Sequence, residues 1–215
     1  MGSSTVNKKA ACRDAEATKN SILDAAEEEF ARAGLLGART EAIAANTGVT
    51  KAMIYYYFSD KEGLYRAVLE RALSRRLQIL QKVDLHAAEP KEALRKLVAS
   101  FIDGAGQNQN LPAIFLFESV QNQGKFYGQI AIASLYSPLV QVLERGIASG
   151  HFRKLDPLHV AVNIVGSAVY YFCSAQNVKH LWPSGTDLFS EGMREKHKAE
   201  AIEMVIAGVL KYPPA

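Results

Sequence analysis

Apolar residues recur along this chain at intervals of three and four rather than two. Ile22, Leu23, Ala26 and Phe30 share one face between about Thr18 and Ala33, and Gly34 and Gly37 end the run. That spacing predicts a helix. "RTEAIAANTGVT" predicts a short helix with Thr40 as N-cap and Gly48 as its stop. Thr50 then caps a second short helix that runs to Phe58. In "SDKE", Ser59 and Glu62 match a capping box and open a longer helix with Leu64, Val68, Ala72, Leu77 and Leu80 inward. Five further helices are predicted, roughly over residues 90–104, 111–122, 126–149, 157–182 and 193–212. No segment sustains strand-like alternation between turn signals, so the fold class is all-α. The expected organisation is a flexible basic arm over residues 1–16, a three-helix head over 17–63 and a larger helical domain over 64–215.

The two short helices joined by "NTGV" change the picture from fold to function. Gly48 can take the positive φ of a tight turn, and two helices around such a turn have helix-turn-helix geometry, whose second helix enters the DNA major groove. At about 100° per residue, Ile54, Tyr57 and Phe58 fall on one side of that helix and Ala52, Tyr55 and Tyr56 on the other. Lys51 and Met53 flank its N-terminal end, where free N–H groups and partial positive charge suit a phosphate. Tyr55 and Tyr56 offer hydroxyls to phosphates and rings to sugars or base methyls, Lys51 reaches phosphate or a guanine edge, and the small Ala52 lets the backbone come close. A lone run of three tyrosines is read more simply as core; the caps, the turn glycine and the lysines on either side favour a polyanion.

"GARTEAIAANTGVTKAMIYYYFSDKEGLYRAVL" resembles the DNA-binding domain of the TetR (tetracycline repressor) family. The resemblance covers about residues 18 to 70 and rests on Thr40, Gly48, Thr50, Lys51, Ile54, Tyr55, Tyr57, Phe58 and Lys61. It implies a homodimeric, ligand-responsive transcription regulator, usually a repressor, acting on a palindromic double-stranded DNA operator in the cytoplasm. It also implies DNA contacts, mostly to phosphate, from Thr40, Thr50, Lys51, Tyr55, Tyr56 and Lys61. Met53 departs from the family, standing where a small polar base reader is common; an apolar contact with thymine methyls is the expectation there.

Beyond residue 70 the resemblance is one of architecture. It implies a dimer interface from the last two helices and a small-molecule pocket among the helices before them. "PLHVAVNIVGSAVYYFCSA" is apolar nearly all round and Gly166 admits a close neighbour, while Ile202, Val205, Ile206 and Val209 form a stripe on the last helix. These five residues are the expected interface. For the pocket, the aromatics Phe115, Phe117, Tyr127, Tyr136, Tyr170 and Tyr171 supply an apolar lining. Glu118, Gln121, Asn163, Cys173 and Gln176 supply polar anchors. Glu118 in that lining would favour a cationic or hydrogen-bond-donating ligand.

Charge and composition exclude little and reorder nothing. The net charge is +3, and the first 66 residues hold nine basic and nine acidic side chains, so the case for DNA rests on pattern. Lys8, Lys9, Arg13 and Lys19 make the arm basic, whereas Glu27, Glu28 and Glu29 form an acidic block. The two cysteines, Cys12 and Cys173, read as free thiols. No run of about 18 apolar residues predicts a membrane span, and the N-terminus lacks the apolar centre of a secretory signal. The five histidines show no metal-ligand spacing. "GAGQNQ" lacks the third glycine of a dinucleotide loop, and "GIASG" misplaces the serine of a nucleophile elbow. No cofactor and no enzyme activity are therefore expected. A DNA-binding dimer without a small-molecule ligand and a helical enzyme are the rival readings.

Overall fold

The computed structural model describes residues 3–81, 85, 89–130 and 132–211, with the backbone alone over residues 3–13. The described chain is helical and contains no strand. The helices are α1 (Ser3–Gly37), α2 (Thr40–Thr47), α3 (Lys51–Phe58), α4 (Lys61–Gln81), α5 (Pro90–Gln107), α6 (Asn110–Gln121), α7 (Ala133–Ala148), α8 (Pro157–Cys173), α9 (Ala175–Val178) and α10 (Glu191–Val209).

The caps of the head differ from expectation at two points. Thr40 is not the N-cap of α2; Arg39 is, and its backbone N–H is held by the Glu29 carboxylate at 2.9 Å. Ser59 does not open α4. It closes α3 in a left-handed conformation at φ 68°, with its N–H on the Tyr55 carbonyl. Asp60 takes the capping role instead, accepting the Gly63 N–H at 2.6 Å. Thr50 caps α3 as the sequence predicts, its hydroxyl accepting the Met53 N–H at 3.2 Å, and Gly48 ends α2 at φ 70°.

Three helix limits also move. The backbone of α1 is already helical at Ser3, through the stretch expected to be a flexible arm, where alanines at 10, 11, 15 and 17 favour helix. The side chains of Lys8, Lys9, Cys12 and Arg13 lie outside the described residues. Helix α7 starts at Ala133 rather than near Phe126, because Gln123 and Gly124 turn left-handed and the Phe126 N–H goes to the Glu118 carboxylate at 2.7 Å. Helix α8 breaks at Ser174, whose hydroxyl caps the Tyr170 carbonyl, and the chain bends by 62° before continuing to Leu181.

Two apolar cores result. The first joins Ile22, Ala26 and Phe30 of α1, Ile43 of α2, Ile54 and Phe58 of α3, and Leu64, Tyr65, Val68 and Leu69 of α4, and it extends to Ile114 of α6 and Phe126 beyond it. The second joins Leu94, Leu97, Val98 and Ile102 of α5, Leu139 and Leu143 of α7, Ile164 and Phe172 of α8, and Val205, Ile206 and Val209 of α10. Each large apolar side chain so buried contributes about 1.5–3 kcal/mol. Helix α4 belongs to both cores, its first turns in one and Leu80 in the other.

Candidate nucleic-acid interface and apolar pocket

The capped, eight-residue α3 presents two unlike faces. Ile54 and Phe58 are buried and Tyr57 is half-buried, while Thr50, Lys51, Ala52, Met53, Tyr55 and Tyr56 are exposed, Tyr56 at 83%. The faces match the helical spacing. Lys51 is ion-paired with Glu41 in the first turn of α2, and its ammonium also lies 5.6 Å from the Tyr55 ring. The Glu41 hydrogen bond raises the Lys51 pKa and Lys51 lowers that of Glu41. Both side chains are about half exposed, so water screens the pair and it is worth little to stability.

Two predicted DNA contacts are not on the open face. Thr40 is only 4% exposed, and its hydroxyl sits 3.3 Å from that of Tyr55, behind the tyrosine. Lys61 is half-buried and donates to the carbonyls of Leu36 and Ala38 at 3.3 and 3.2 Å, tying the start of α4 to the end of α1.

The acidic block of α1 turns out to be structural. Glu29 binds Arg32 through two nitrogens at 2.9 and 2.8 Å as well as the Arg39 N–H, and this hydrogen bonding holds its carboxyl below the usual range. Glu27 accepts from Arg71 of α4 at 3.0 Å and from Asn108, between α5 and α6, at 2.7 Å. Arg71 also binds Asp24 at 2.6 Å. A polar clamp thus fastens head to body, and nothing in the spacing of three consecutive glutamates announced it.

Behind the head, α4, α5, α6, α7 and α8 enclose a cavity of about 150 Å³. Leu69, Ala72 and Leu73 form one wall, Leu111, Pro112, Ile114 and Phe115 another, and Phe101, Tyr127, Tyr136, Val165 and Val169 complete it. Of the expected lining residues, Phe115, Tyr127 and Tyr136 are present. Burial raises the pKa of Tyr127, helped by the Glu118 charge, and that of Tyr136, so both phenols stay neutral. Cys173 stands just behind the wall, its thiol 3.4 Å from the Pro112 carbonyl and its pKa pushed up to about 11 by burial.

The other candidates lie elsewhere. Glu118 is fully buried but faces the turn after α6, where it accepts from Asn122 at 2.6 Å and from Phe126. It therefore does not favour a cationic ligand. Phe117 and Gln121 are also outside the cavity lining. Asn163 and Tyr170 are exposed on the outer face of α8, Tyr171 stacks on His197 at 4.2 Å, and Gln176 accepts from Lys179 at 2.8 Å. Among the described residues the cavity's one charged lining group is Arg76. It falls on the i+4 line of Leu64, Val68, Ala72 and Leu80, a signal that the sequence does carry.

The expected interface residues divide as well. Gly166 is exposed on α8, but Val205, Ile206 and Val209 are buried in their own chain and Ile202 is half-buried. The open apolar residues on this side are Leu158, Val162, Tyr170 and Leu181, with Met204 on α10. Among the described residues no group of His, Cys, Asp or Glu could hold a metal ion, and no single helix is long and apolar enough to cross a membrane.

A capped helix-turn-helix head carried on a larger helical body is the architecture of a one-component transcription regulator. Residues 22–68 match the family described as bacterial regulatory proteins, tetR family, and residues 90–205 match the tetracyclin repressor-like C-terminal domain. The chain is 31% identical over 208 residues to the HTH-type transcriptional repressor SCO4008 of Streptomyces coelicolor, covering 91% of this chain and 98% of that one. It is 31% identical to the transcriptional repressor NicS of Pseudomonas putida over 75% of this chain and 78% of the relative. In structure it is similar to the transcriptional regulator FadR from Bacillus subtilis, solved in complex with stearoyl-CoA, with a TM-score of 0.71, 22% identity and coverage of 87% and 97%. The chain belongs to the TetR family. It is a DNA-binding transcriptional repressor and not an enzyme.

Proposed function

We propose that this repressor acts in the cytoplasm as a homodimer on a palindromic operator and leaves it when a small-molecule effector fills the cavity. The open face of α3 supports DNA contact by Thr50, Lys51, Ala52, Met53, Tyr55 and Tyr56, with Lys51 and the tyrosines on phosphate and Met53 against base edges. Thr40 acts through Tyr55, and Lys61 holds the α1–α4 corner beside the phosphates. One head reads only a few base pairs, so specificity calls for two copies. The i+4 row Leu158, Val162, Gly166 and Tyr170, together with the exposed Met204 of α10, offers the self-complementary surface that a twofold axis needs.

The observation that carries the effector reading is the double membership of α4. Leu64, Tyr65, Val68 and Leu69 pack in the head core, and Leu69, Ala72, Leu73 and Arg76 wall the cavity. An effector there displaces the helix that aims the head, and DNA fixes the spacing of two heads. A preference of about 1–3 kcal/mol for the displaced state weakens operator binding roughly 5- to 150-fold.

The test is reciprocal. Gel retardation with the DNA flanking its own coding sequence finds the operator, and a thermal-shift screen of metabolites finds binders. Each binder is then titrated with and without operator. Release by an effector requires that operator lower its affinity by the same factor by which it lowers operator affinity; equal affinity in both titrations rules the mechanism out.

A further inference from the structure

Apart from the phenols of Tyr127 and Tyr136, the cavity lining among the described residues holds one side chain that is not apolar. Arg76 enters it from α4, and its guanidinium lies 4.6 Å from the centroid of the Phe101 ring. Both terminal nitrogens, Nη1 and Nη2, are shut away from solvent without a hydrogen-bond partner. The nearest opposite charge, Asp103, gives its carboxylate to Lys198 at 2.7 Å. Gly104 makes the room: a Cβ there would stand 2.6 Å from Nη1. Burial lowers the Arg76 pKa to about 10, which still leaves it charged at neutral pH.

A buried cation with unmade hydrogen bonds costs stability, and native structures keep such groups for a reason. Here the reason is shape. A guanidinium presents a planar fork that matches a carboxylate with two parallel bonds. A largely apolar space of about 150 Å³ has room for a single benzene ring.

We propose that the cavity takes a small organic monoanion, a carboxylate on an apolar body of about one ring, with the carboxylate seated on the Arg76 guanidinium and the body against Leu73, Phe115 and Tyr136. The proposal rests on the reading of this cavity as the effector site and names the effector's chemical class. It also replaces the cationic ligand that Glu118 would have favoured: the buried charge facing the cavity is positive.

The experiment uses the full-length protein, first without DNA for ligand binding and then with operator for its affinity in the presence of the acid. Benzoate and phenylacetate are titrated calorimetrically against their neutral isosteres benzamide and phenylacetamide. The acids are expected to saturate and to bind roughly tenfold or more tighter than the amides, the worth of a hydrogen bond to a charged group. Arg76→Met keeps the apolar stem and should erase that preference while leaving the unliganded protein at least as heat-stable, since an unpaired buried charge is gone. Arg76→Lys should keep part of the preference. Acids no tighter than amides, a preference that survives in Arg76→Met, or no saturable binding by either acid at millimolar concentration would each overturn the proposal. Amides that bind as well as acids leave the effector reading standing. Acids bound through Arg76 with operator affinity unchanged uphold the anion and overturn the effector reading instead.

Discussion

The head and the body both leave large apolar side chains in the open, but in different company. On α3, Met53, Tyr55 and Tyr56 are exposed on the same short helix as Lys51, whose ammonium lies 5.6 Å from the Tyr55 ring. On the outer face of α8, Leu158, Val162 and Tyr170 stand on one i+4 row with the exposed Gly166. The first arrangement suits a polyanion carrying sugars and bases. The second suits a close-packed copy of itself. Exposure alone does not name a partner; the charge and the small residues beside it do.

The comparison breaks most visibly through two valines of the body. Val205→Glu puts a charge into the intrachain core beside Ile206 and Val209 and should unfold the body, at a cost of about 4 kcal/mol or more. Val162→Glu, on the open row, should leave the melting curve near wild type and yield monomers that bind operator poorly. Sedimentation and circular dichroism together check both. A folded Val205→Glu monomer, or an unchanged dimer in Val162→Glu, assigns the surface wrongly.

Next in size is the junction between head and body. Glu118→Ala strands the buried Phe126 N–H and removes the acceptor of the half-buried Asn122 amide, and at about 1–3 kcal/mol for a stranded group it should lower stability by about 2 kcal/mol. Chemical denaturation measures it. Glu118→Gln, which retains an acceptor oxygen, should recover part of the loss.

The DNA face is the next smaller effect. Lys51→Ala should flatten the plot of log affinity against log salt by about one unit, one phosphate contact's worth, on every sequence tested. Glu41→Gln should move affinity the other way, because it removes both the competitor for Lys51 and a charge repelling the backbone. An unchanged slope in Lys51→Ala takes the lysine off the phosphate.

The smallest effect is a pH dependence in the body. His197 is stacked on Tyr171 and bonded to the Ala168 carbonyl, and burial lowers its pKa below the ordinary 6.5. The unfolded chain therefore takes up a proton before the folded one does. Stability from this group is full above the unfolded pKa and is lost as pH falls below it, until the folded form is protonated as well. Melting temperatures from about pH 7.5 down to about pH 5 should fall more in wild type than in His197→Gln. Parallel curves would assign the pH dependence to other groups.

The parts of the site legible in the sequence are those set by neighbours in the chain. The two faces of α3, the Thr50 cap and the Gly48 turn follow from spacing and local hydrogen bonding, and they needed no distant residue. The misplaced caps at Thr40 and Ser59 show where that locality ends. Glu29, ten residues before Arg39, supplies the bond at the start of α2, and the left-handed Ser59 hands the next helix to Asp60. The pocket was legible only in kind. The family resemblance implied a pocket and the aromatics its candidate lining, yet Phe115, Tyr127 and Tyr136 enter it while Tyr170 and Asn163 face outward, a choice made by how α8 is rotated against α5 and α7.

By itself, then, the sequence determined an all-α chain with a capped helix-turn-helix and an outward Lys-Tyr surface, because helical period, caps and turn glycines act over a few residues. Only the tertiary structure decided which apolar stripes stay inside one chain, which carboxylates lock the head to the body, and that the charge facing the cavity is Arg76 rather than Glu118. Those outcomes depend on helices that pack against one another from distant parts of the chain. A charged side chain's meaning is fixed by what surrounds it: Glu118 is enclosed by donors from its own turn, whereas the Arg76 guanidinium lies against the Phe101 ring at the cavity wall with its terminal nitrogens unbonded.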